Sequence, residues 1–153
     1  MNKIIFAFLI LPALIMQIQV ADLSPKDLSC SIDTKPDSTF KGRYYNKEYN
    51  IYIDMDLYHQ NKLIPGQEFL GEVAGYLGDN IDSRKWIFTD VTLVNNHTAI
   101  LSITNDYGSE DLKATLTHHP KDSTHVLKQE EGSAIKIARN RKWVKLPNSI
   151  IFK

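Results

Sequence analysis

The sequence is poor in cysteine, with Cys30 as the single example among 153 residues. One cysteine excludes an intrachain disulfide, so a small domain has to be held together by its own apolar core. The residues just before Cys30 include charges and lie well past the N-terminal apolar run, which argues against a lipid-attachment site. We expect a free thiol, with an intermolecular disulfide as the alternative.

The sequence also lacks the motifs of common enzyme and cofactor classes. It contains no G-x-S-x-G nucleophile turn, no G-x-G-x-x-G or phosphate loop, and no H-E-x-x-H pattern. These absences argue against a nucleotide cofactor. They lower the expectation of an enzyme without excluding one, since catalytic groups can assemble from distant positions. We predict no catalytic residues, no cofactor and no bound metal.

Long apolar runs are confined to the N-terminus. Lys3 precedes an apolar run over residues 4–16, and a short polar stretch leads to Ala21, a layout typical of a secretory signal. The run is shorter than the about 20 residues of a membrane-spanning helix and contains Pro12. We predict cleavage after Ala21 and location in the periplasm or outside the cell, with no membrane span after cleavage. An uncleaved anchor is the alternative.

Neither sign of charge is in excess. The 18 Lys and Arg residues balance 18 Asp and Glu residues, and loss of residues 1–21 removes only Lys3, leaving 132 residues with a formal charge of −1. A near-neutral balance argues against nucleic acid as the main partner, because that binding needs a basic surface. A length of this order fits one domain.

Apolar and polar residues alternate with a period of two along much of the sequence. Along residues 44–58, most odd positions are apolar and the even positions are polar or amphipathic, which is typical of a strand with one buried face. We therefore predict that Ile51, Ile53 and Leu57 are core residues. The pattern recurs in four further segments, residues 69–77, 84–94, 98–105 and 110–118.

Turn signals rich in Gly, Pro, Asn and Asp separate these segments. We predict an all-β fold: a single antiparallel meander of roughly 8–10 short strands that forms a small barrel or sandwich. Residues 22–39, rich in Ser, Asp and Pro, are predicted to form a flexible N-terminal arm, and residues 40–153 the β domain. Gly71 and Gly75 fall on the apolar side of one predicted strand, where glycine marks a bend or bulge.

Asp54 and Asp56 lie two residues apart on the predicted wet face, with Cα atoms about 6.5–7 Å apart. Paired carboxylates could serve a glycosidase or bind a hard cation, but the neighbouring sequence offers neither a cleft nor enough oxygen ligands. We predict a solvated face. Because Tyr44, Tyr52 and Tyr58 share it, partner recognition is favoured over catalysis there.

Three histidines, His118, His119 and His125, surround one predicted turn. Adjacent histidines on a strand point to opposite faces, so His118 and His119 are poorly placed to hold one metal ion. We predict that this segment is a solvated loop.

The C-terminal third has the clearest charge asymmetry, with six basic and no acidic residues between positions 136 and 153. Alternation predicts that Trp143 points outward and that Val144 and Leu146 point inward. The basic residues are either the polar face of a final hairpin or a docking surface for an anionic partner. That candidate surface consists of Arg139, Arg141, Lys142, Trp143 and Lys145.

The favoured functional class is a non-enzymatic binding protein with a protein partner, such as an inhibitor or immunity-type protein that occludes a toxin or an envelope hydrolase. The alternative is a lipocalin-like carrier, whose barrel would hold a small apolar ligand. A cell-wall hydrolase built on Asp54, Asp56 and a nearby histidine is the least favoured.

Overall fold

A computed structural model describes residues 38–153 of the protein. The predicted signal peptide, Cys30 and nearly all of the predicted N-terminal arm lie outside the described residues. Within the described range, no helix is long and apolar enough to cross a membrane.

Residues 38–153 form an all-β fold, with one 3-10 turn at Glu68–Leu70 as the other regular element in this range. The strands are β1 (Lys41–Asn46), β2 (Ile51–Asp56), β3 (Gly75–Asp79), β4 (Lys85–Asn95), β5 (Thr98–Asn105), β6 (Asp111–His119), β7 (Thr124–Gly132), β8 (Lys136–Arg139), β9 (Lys142–Lys145) and β10 (Ser149–Phe152).

Eight of these strands form one antiparallel sheet in the order β1-β2-β3-β4-β5-β6-β7-β10, and β8 and β9 form a separate hairpin. The N–H of Tyr45 donates to the carbonyl of Lys153 at 2.7 Å, and the N–H of Lys153 donates back at 2.9 Å. These two bonds join β1 to the end of β10 and nearly close the sheet into a barrel. The predicted all-β, antiparallel architecture is confirmed, and near-closure leaves little unpaired strand edge.

The barrel interior is filled by apolar side chains that alternate along the strands. Ile51 and Ile53 are fully buried and Leu57 is almost so, which confirms the predicted core positions. Alternate residues of β5 and β6 face the same interior. Burial of one face of each strand therefore accounts for the period-two pattern in the sequence.

The alternation predicted over residues 44–58 is wrong in its first half. Residues 44–58 contribute to two strands of a hairpin, in which Tyr44 lies opposite Ile53 and Tyr45 lies opposite Tyr52. Opposite residues share a face, so even-numbered Tyr44 packs against the core and odd-numbered Tyr45 is exposed. The turn between β1 and β2, with Asn50 at φ +54°, reverses which positions face inward.

Residues 57–74 leave the sheet and return over its outer face. One antiparallel bridge joins Lys62 to Val73. Ile64 of this excursion packs with Tyr76 and Ile87 in a second, smaller apolar cluster outside the barrel. The excursion therefore buries part of the outer face of β3 and β4, which simple alternation would leave in water.

The strand predicted over residues 69–77 begins only at Gly75. Phe69 lies in the 3-10 turn and is 84% exposed, and Gly71 ends that turn at φ +75°. A Cβ atom on Gly75 would lie 2.7 Å from both the carbonyl oxygen of Asp54 and the Cβ of Met55. Gly75 therefore permits the close approach of β2, while Gly71 ends the turn.

Candidate functional site

The β8–β9 hairpin has a two-residue turn at Asn140 and Arg141, with φ values of +51° and +65°. Arg139 and Lys142 close the turn as opposite residues. Two successive left-handed residues are the mark of a type I′ turn, whose twist matches that of paired strands. Asparagine tolerates this conformation, whereas arginine adopts it at a cost, because its Cβ crowds the backbone.

The tip and second strand of the hairpin present an exposed basic surface. Residues 141–145 are all exposed, and Trp143 is 58% exposed. Within the described range, Arg141, Lys142 and Lys145 form no ion pair. Three cations without counter-charges around an exposed tryptophan form what we call the basic hairpin surface: Arg141, Lys142, Trp143 and Lys145.

Trp143 is held in place from outside the hairpin. The guanidinium carbon of Arg84 lies 4.2 Å from the centre of the Trp143 ring, within cation–π range. Asp82 accepts hydrogen bonds from Arg84 Nε at 2.5 Å and Nη2 at 2.6 Å. These bonds lower the pKa of Asp82 to about 2 and keep it charged at neutral pH. The pair fixes the cation against the indole.

Arg139 does not share this exposed surface. Its Nη1 donates to Asp79 Oδ2 at 2.5 Å, its Nη2 donates to Asp79 Oδ1 at 3.1 Å, and it also bonds the carbonyl of Tyr49. Asp79 is buried at the end of β3. Arg139 therefore fastens the hairpin to the end of the barrel, where β3 and the β1–β2 turn meet.

The inward positions of the hairpin follow the prediction in part. Leu146 is buried as predicted. Val144 shares the inward face with Ile137 but is 38% exposed, so it is less buried than predicted. The reason is that β8 and β9 form their own two-stranded sheet. Ile137, opposite Val144, reaches the barrel core and leaves Val144 at the margin.

Asp54 is buried in an ion-paired group, so the prediction that it lies on a solvated face is wrong. Arg43 donates to Asp54 Oδ2 from Nε at 3.0 Å and from Nη2 at 2.7 Å, and Lys62 Nζ lies 2.7 Å from Oδ1. Lys62 comes from the excursion that covers β2. The carboxylate thus connects the excursion to β1 and has a cation on each oxygen.

Asp56 is also buried, which contradicts the same prediction. Its carboxylate accepts the backbone N–H of His59 at 3.1 Å, contacts the His59 ring Nδ1 at 3.0 Å, and pairs with Lys41 Nζ at 3.0 Å. Burial opposes ionisation of Asp56, but the bonds from His59 and Lys41 outweigh it and lower the pKa to about 2. His59 is not among the residues predicted from the sequence, although the spacing Asp-x-x-His at the end of a predicted strand indicates such a contact.

Tyr52 and Tyr58 of the predicted recognition face are partly buried. Tyr52 lies under Arg43, whose guanidinium carbon is 4.7 Å from the ring centre, and beside the rings of Tyr45 and Tyr76. Tyr58 packs against the barrel core. These contacts give both rings a role in packing, and their exposed area is smaller than the prediction assumed.

The histidines form a column instead of a solvated loop. His97 stacks on His118, His118 lies 4.6 Å from His125, and His125 lies 4.0 Å from Tyr44 between ring centres. His125 is buried, and its Nε2 donates to the carbonyl of Thr39 at 2.8 Å. The loop prediction is therefore wrong, because His118 and His119 belong to β6 and His125 belongs to β7.

Burial is the main cause that lowers the pKa of His125 to about 4, and the nearby His118 adds to the effect. His125 is therefore neutral at pH 7 and can act as a hydrogen-bond donor inside the barrel. His119 is exposed at the end of β6. Among residues 38–153, no group of three or more His, Cys, Asp or Glu side chains is placed to hold a metal ion.

No protein-family model, no curated protein and no solved structure matches the chain.

Proposed function

We propose that this protein is an exported, non-enzymatic binding protein whose basic hairpin surface docks on an acidic surface of a partner protein. It acts by occlusion, as an inhibitor or immunity-type protein does against a toxin or an envelope hydrolase. One observation carries the proposal: Arg141, Lys142 and Lys145 surround the exposed Trp143 without counter-charges in the described chain. Tryptophan and arginine are enriched among the residues that dominate binding energies.

Rigidity supports the same assignment. The Arg139–Asp79 pair holds the hairpin to the barrel, and Arg84 holds the Trp143 ring. A surface that is ordered before binding loses less conformational entropy on association. Because the charges are exposed, they also favour fast encounter with an acidic partner.

Backbone strain at the tip of the hairpin also supports a binding role. Arg141 occupies a left-handed position where glycine would be unstrained. Non-glycine residues in this region cost free energy and concentrate at functional sites. A charged side chain in the hairpin turn offsets that cost if it contacts a partner.

The two other classes have less support. The barrel interior in the described chain is packed with large side chains such as Phe40, Phe88 and Phe152, which works against a carrier. Asp54 and Asp56 are each neutralised by cations inside the fold, which works against a hydrolase centred on them. Export rests on the N-terminal sequence pattern.

The test is affinity capture from the cell envelope of the source organism and from proteins secreted by its neighbours. A Lys142→Gln/Lys145→Gln double variant should lose the captured protein. The matched control is Lys113→Gln/Lys121→Gln, which removes the same charge from two exposed lysines that make no ion pair within the described chain. Equal capture by both double variants, or no stoichiometric protein with the unmodified chain, would refute the proposal.

A further inference from the structure

A cleft lies between the β8–β9 hairpin and the β5–β6 turn. Its volume is about 360 Å³, within the range of about 300–1,000 Å³ for small-molecule sites. The cleft is lined by Asn105, Tyr107, Ser109, Glu110, Lys136 and Trp143.

Two aromatic side chains supply the apolar part of this cleft. Tyr107 is 72% exposed and Trp143 is 58% exposed, and both side chains line the cleft. Arg84, which lies over Trp143, does not line the cleft. The indole is therefore held by one cation while the cleft remains accessible beside it. The sequence pattern does not single out Tyr107, whose only signal is an aromatic residue in an Asn-Asp-x-Gly turn.

The turn that carries Tyr107 is internally braced. Asn105 Oδ1 accepts the N–H of Ser109 at 2.9 Å, and Asn105 Nδ2 donates to Ser109 Oγ at 3.0 Å. The N–H of Asp106 donates to the carbonyl of Lys85 at 3.0 Å, which ties the turn to the start of β4. The position of the Tyr107 backbone is thus fixed before any ligand binds.

The polar part of the cleft has no net charge. Lys136 Nζ, which belongs to β8, pairs with Glu110 Oε1, and both side chains stay partly exposed. An ionic ligand would have to displace one member of this pair. A wholly apolar ligand would strip water from both charges without replacing their hydrogen bonds, which costs free energy. The lining therefore favours a neutral ligand with one apolar face and several hydroxyl groups.

We propose that this cleft binds a neutral saccharide. A sugar ring presents C–H groups on its face, which suit the indole and phenol rings, and hydroxyl groups on its edge. Those hydroxyls can donate to the Glu110 carboxylate and accept from Lys136 Nζ. The site extends the function beyond a protein partner, because its lining omits Arg141, Lys142 and Lys145.

Intrinsic fluorescence measures this binding directly. The two tryptophans are Trp86, which is buried, and Trp143, so ligand-dependent emission changes report on the cleft. The probes are tetrasaccharides of β-1,4-glucose, α-1,4-glucose and β-1,4-N-acetylglucosamine. We expect a saturable change with at least one of them. Tyr107→Ala should weaken that affinity about tenfold, as for loss of an aromatic binding residue.

The controls separate this site from the basic hairpin surface. Phe69→Ala removes another exposed aromatic ring, which is 84% exposed and lies outside the cleft, and should leave the affinity unchanged. Tyr107→Phe keeps the ring and should retain binding, which would assign a loss in Tyr107→Ala to the missing aromatic ring, and circular dichroism checks that Tyr107→Ala is folded. Lys142→Gln/Lys145→Gln should retain saccharide binding even if it abolishes capture of a protein.

Three results would overturn the proposal. The first is no saturable change with any of the three saccharides. The second is a saturable change that Tyr107→Ala leaves intact. The third is a response to N-acetyltyrosine amide without one to any saccharide, which would assign the cleft to an aromatic side chain of a protein partner.

Discussion

At the scale of single residues, the pairing of charges separates the side chains that hold this fold from those that are available for binding. Asp54, Asp56 and Asp79 are buried and have cations on their oxygens. Lys142 and Lys145 are exposed and have no ion-pair partner in the described range. Buried carboxylates require such partners, because an unpaired buried charge is strongly destabilising.

Substitution of Ile53 tests the assignment of the barrel core. Its side chain is fully buried among the apolar residues of neighbouring strands. Replacement by alanine should lower the free energy of unfolding by about 2–5 kcal/mol, through lost burial and the cavity left behind. Urea denaturation measures this, with exposed Ile100→Ala as the control. A loss below about 0.5 kcal/mol at Ile53 would place that residue outside the core.

The lowered pKa of His125 predicts how the free energy of unfolding depends on pH. Its pKa is about 4 in the folded chain against about 6.5 in an unfolded chain. Above pH 6.5 neither state binds the proton, so stability is full. As pH falls from 6.5 to 4, only the unfolded state binds it, and the free energy of unfolding drops by up to about 3 kcal/mol.

Replacement of His125 by glutamine isolates this effect, because glutamine can donate to the Thr39 carbonyl but does not titrate. Unfolding free energies measured at pH 7.5, 5.5 and 4.5 should fall less steeply in His125→Gln than in the unmodified protein. An unchanged slope between pH 6.5 and 4 would show that His125 is not the titrating group. Exposed His119→Gln serves as the comparison.

At the scale of elements, the β8–β9 hairpin is both anchored and strained. Ile137 of β8 and Leu146, just after β9, join the core, while Trp86 Nε1 donates to the carbonyl of Lys136 at 3.1 Å. The tip, by contrast, holds Arg141 in a left-handed conformation. A stable base with a strained, charged tip is the arrangement expected of a binding element on a rigid scaffold.

The strain at the tip is measurable by substitution. Arg141→Gly should raise the free energy of unfolding by about 0.5–1 kcal/mol, because glycine adopts positive φ without steric conflict. Arg141→Ala removes the same charge but keeps the strain, so it should give no such gain. Both variants should weaken partner binding alike. Equal stability of the two variants would argue against strain at this position.

The anchor of the hairpin is tested by Asp79→Asn. Loss of the carboxylate leaves Arg139 without its counter-charge and should cost about 2–3 kcal/mol of unfolding free energy, less than for a fully buried pair because Arg139 is partly exposed. Thermal or urea unfolding measures the loss, with exposed Glu131→Gln as control. A change no larger than the control's would mean that apolar packing alone holds the hairpin.

At the scale of the whole molecule, near-closure of the sheet explains both what the sequence could predict and what it could not. Alternation identifies strands whose inner face is buried, as for Ile51 and Ile53, because burial imposes a period of two. It cannot show that residues 57–74 fold over the outer face of β2, since that depends on long-range contacts such as Lys62 with Asp54. Alternation alone therefore places Asp54 in water.

The residues of the basic hairpin surface could be predicted from the sequence, but their arrangement in the fold could not. The run of basic residues around Trp143 is visible in the sequence, and so is the outward position of Trp143. That Arg139 turns inward depends on Asp79, which lies 60 residues earlier in the chain. The cleft beside Tyr107 likewise depends on how the β5–β6 turn meets β8, which no local pattern encodes.

The most direct test of this account is hydrogen–deuterium exchange of the protein with and without its captured protein partner. The account predicts slowed exchange in peptides covering residues 136–146, because the partner covers the basic hairpin surface, and little change in residues 50–58. Protection confined to the β4–β5 hairpin around exposed Leu93 and Val94, with none in residues 136–146, would contradict it.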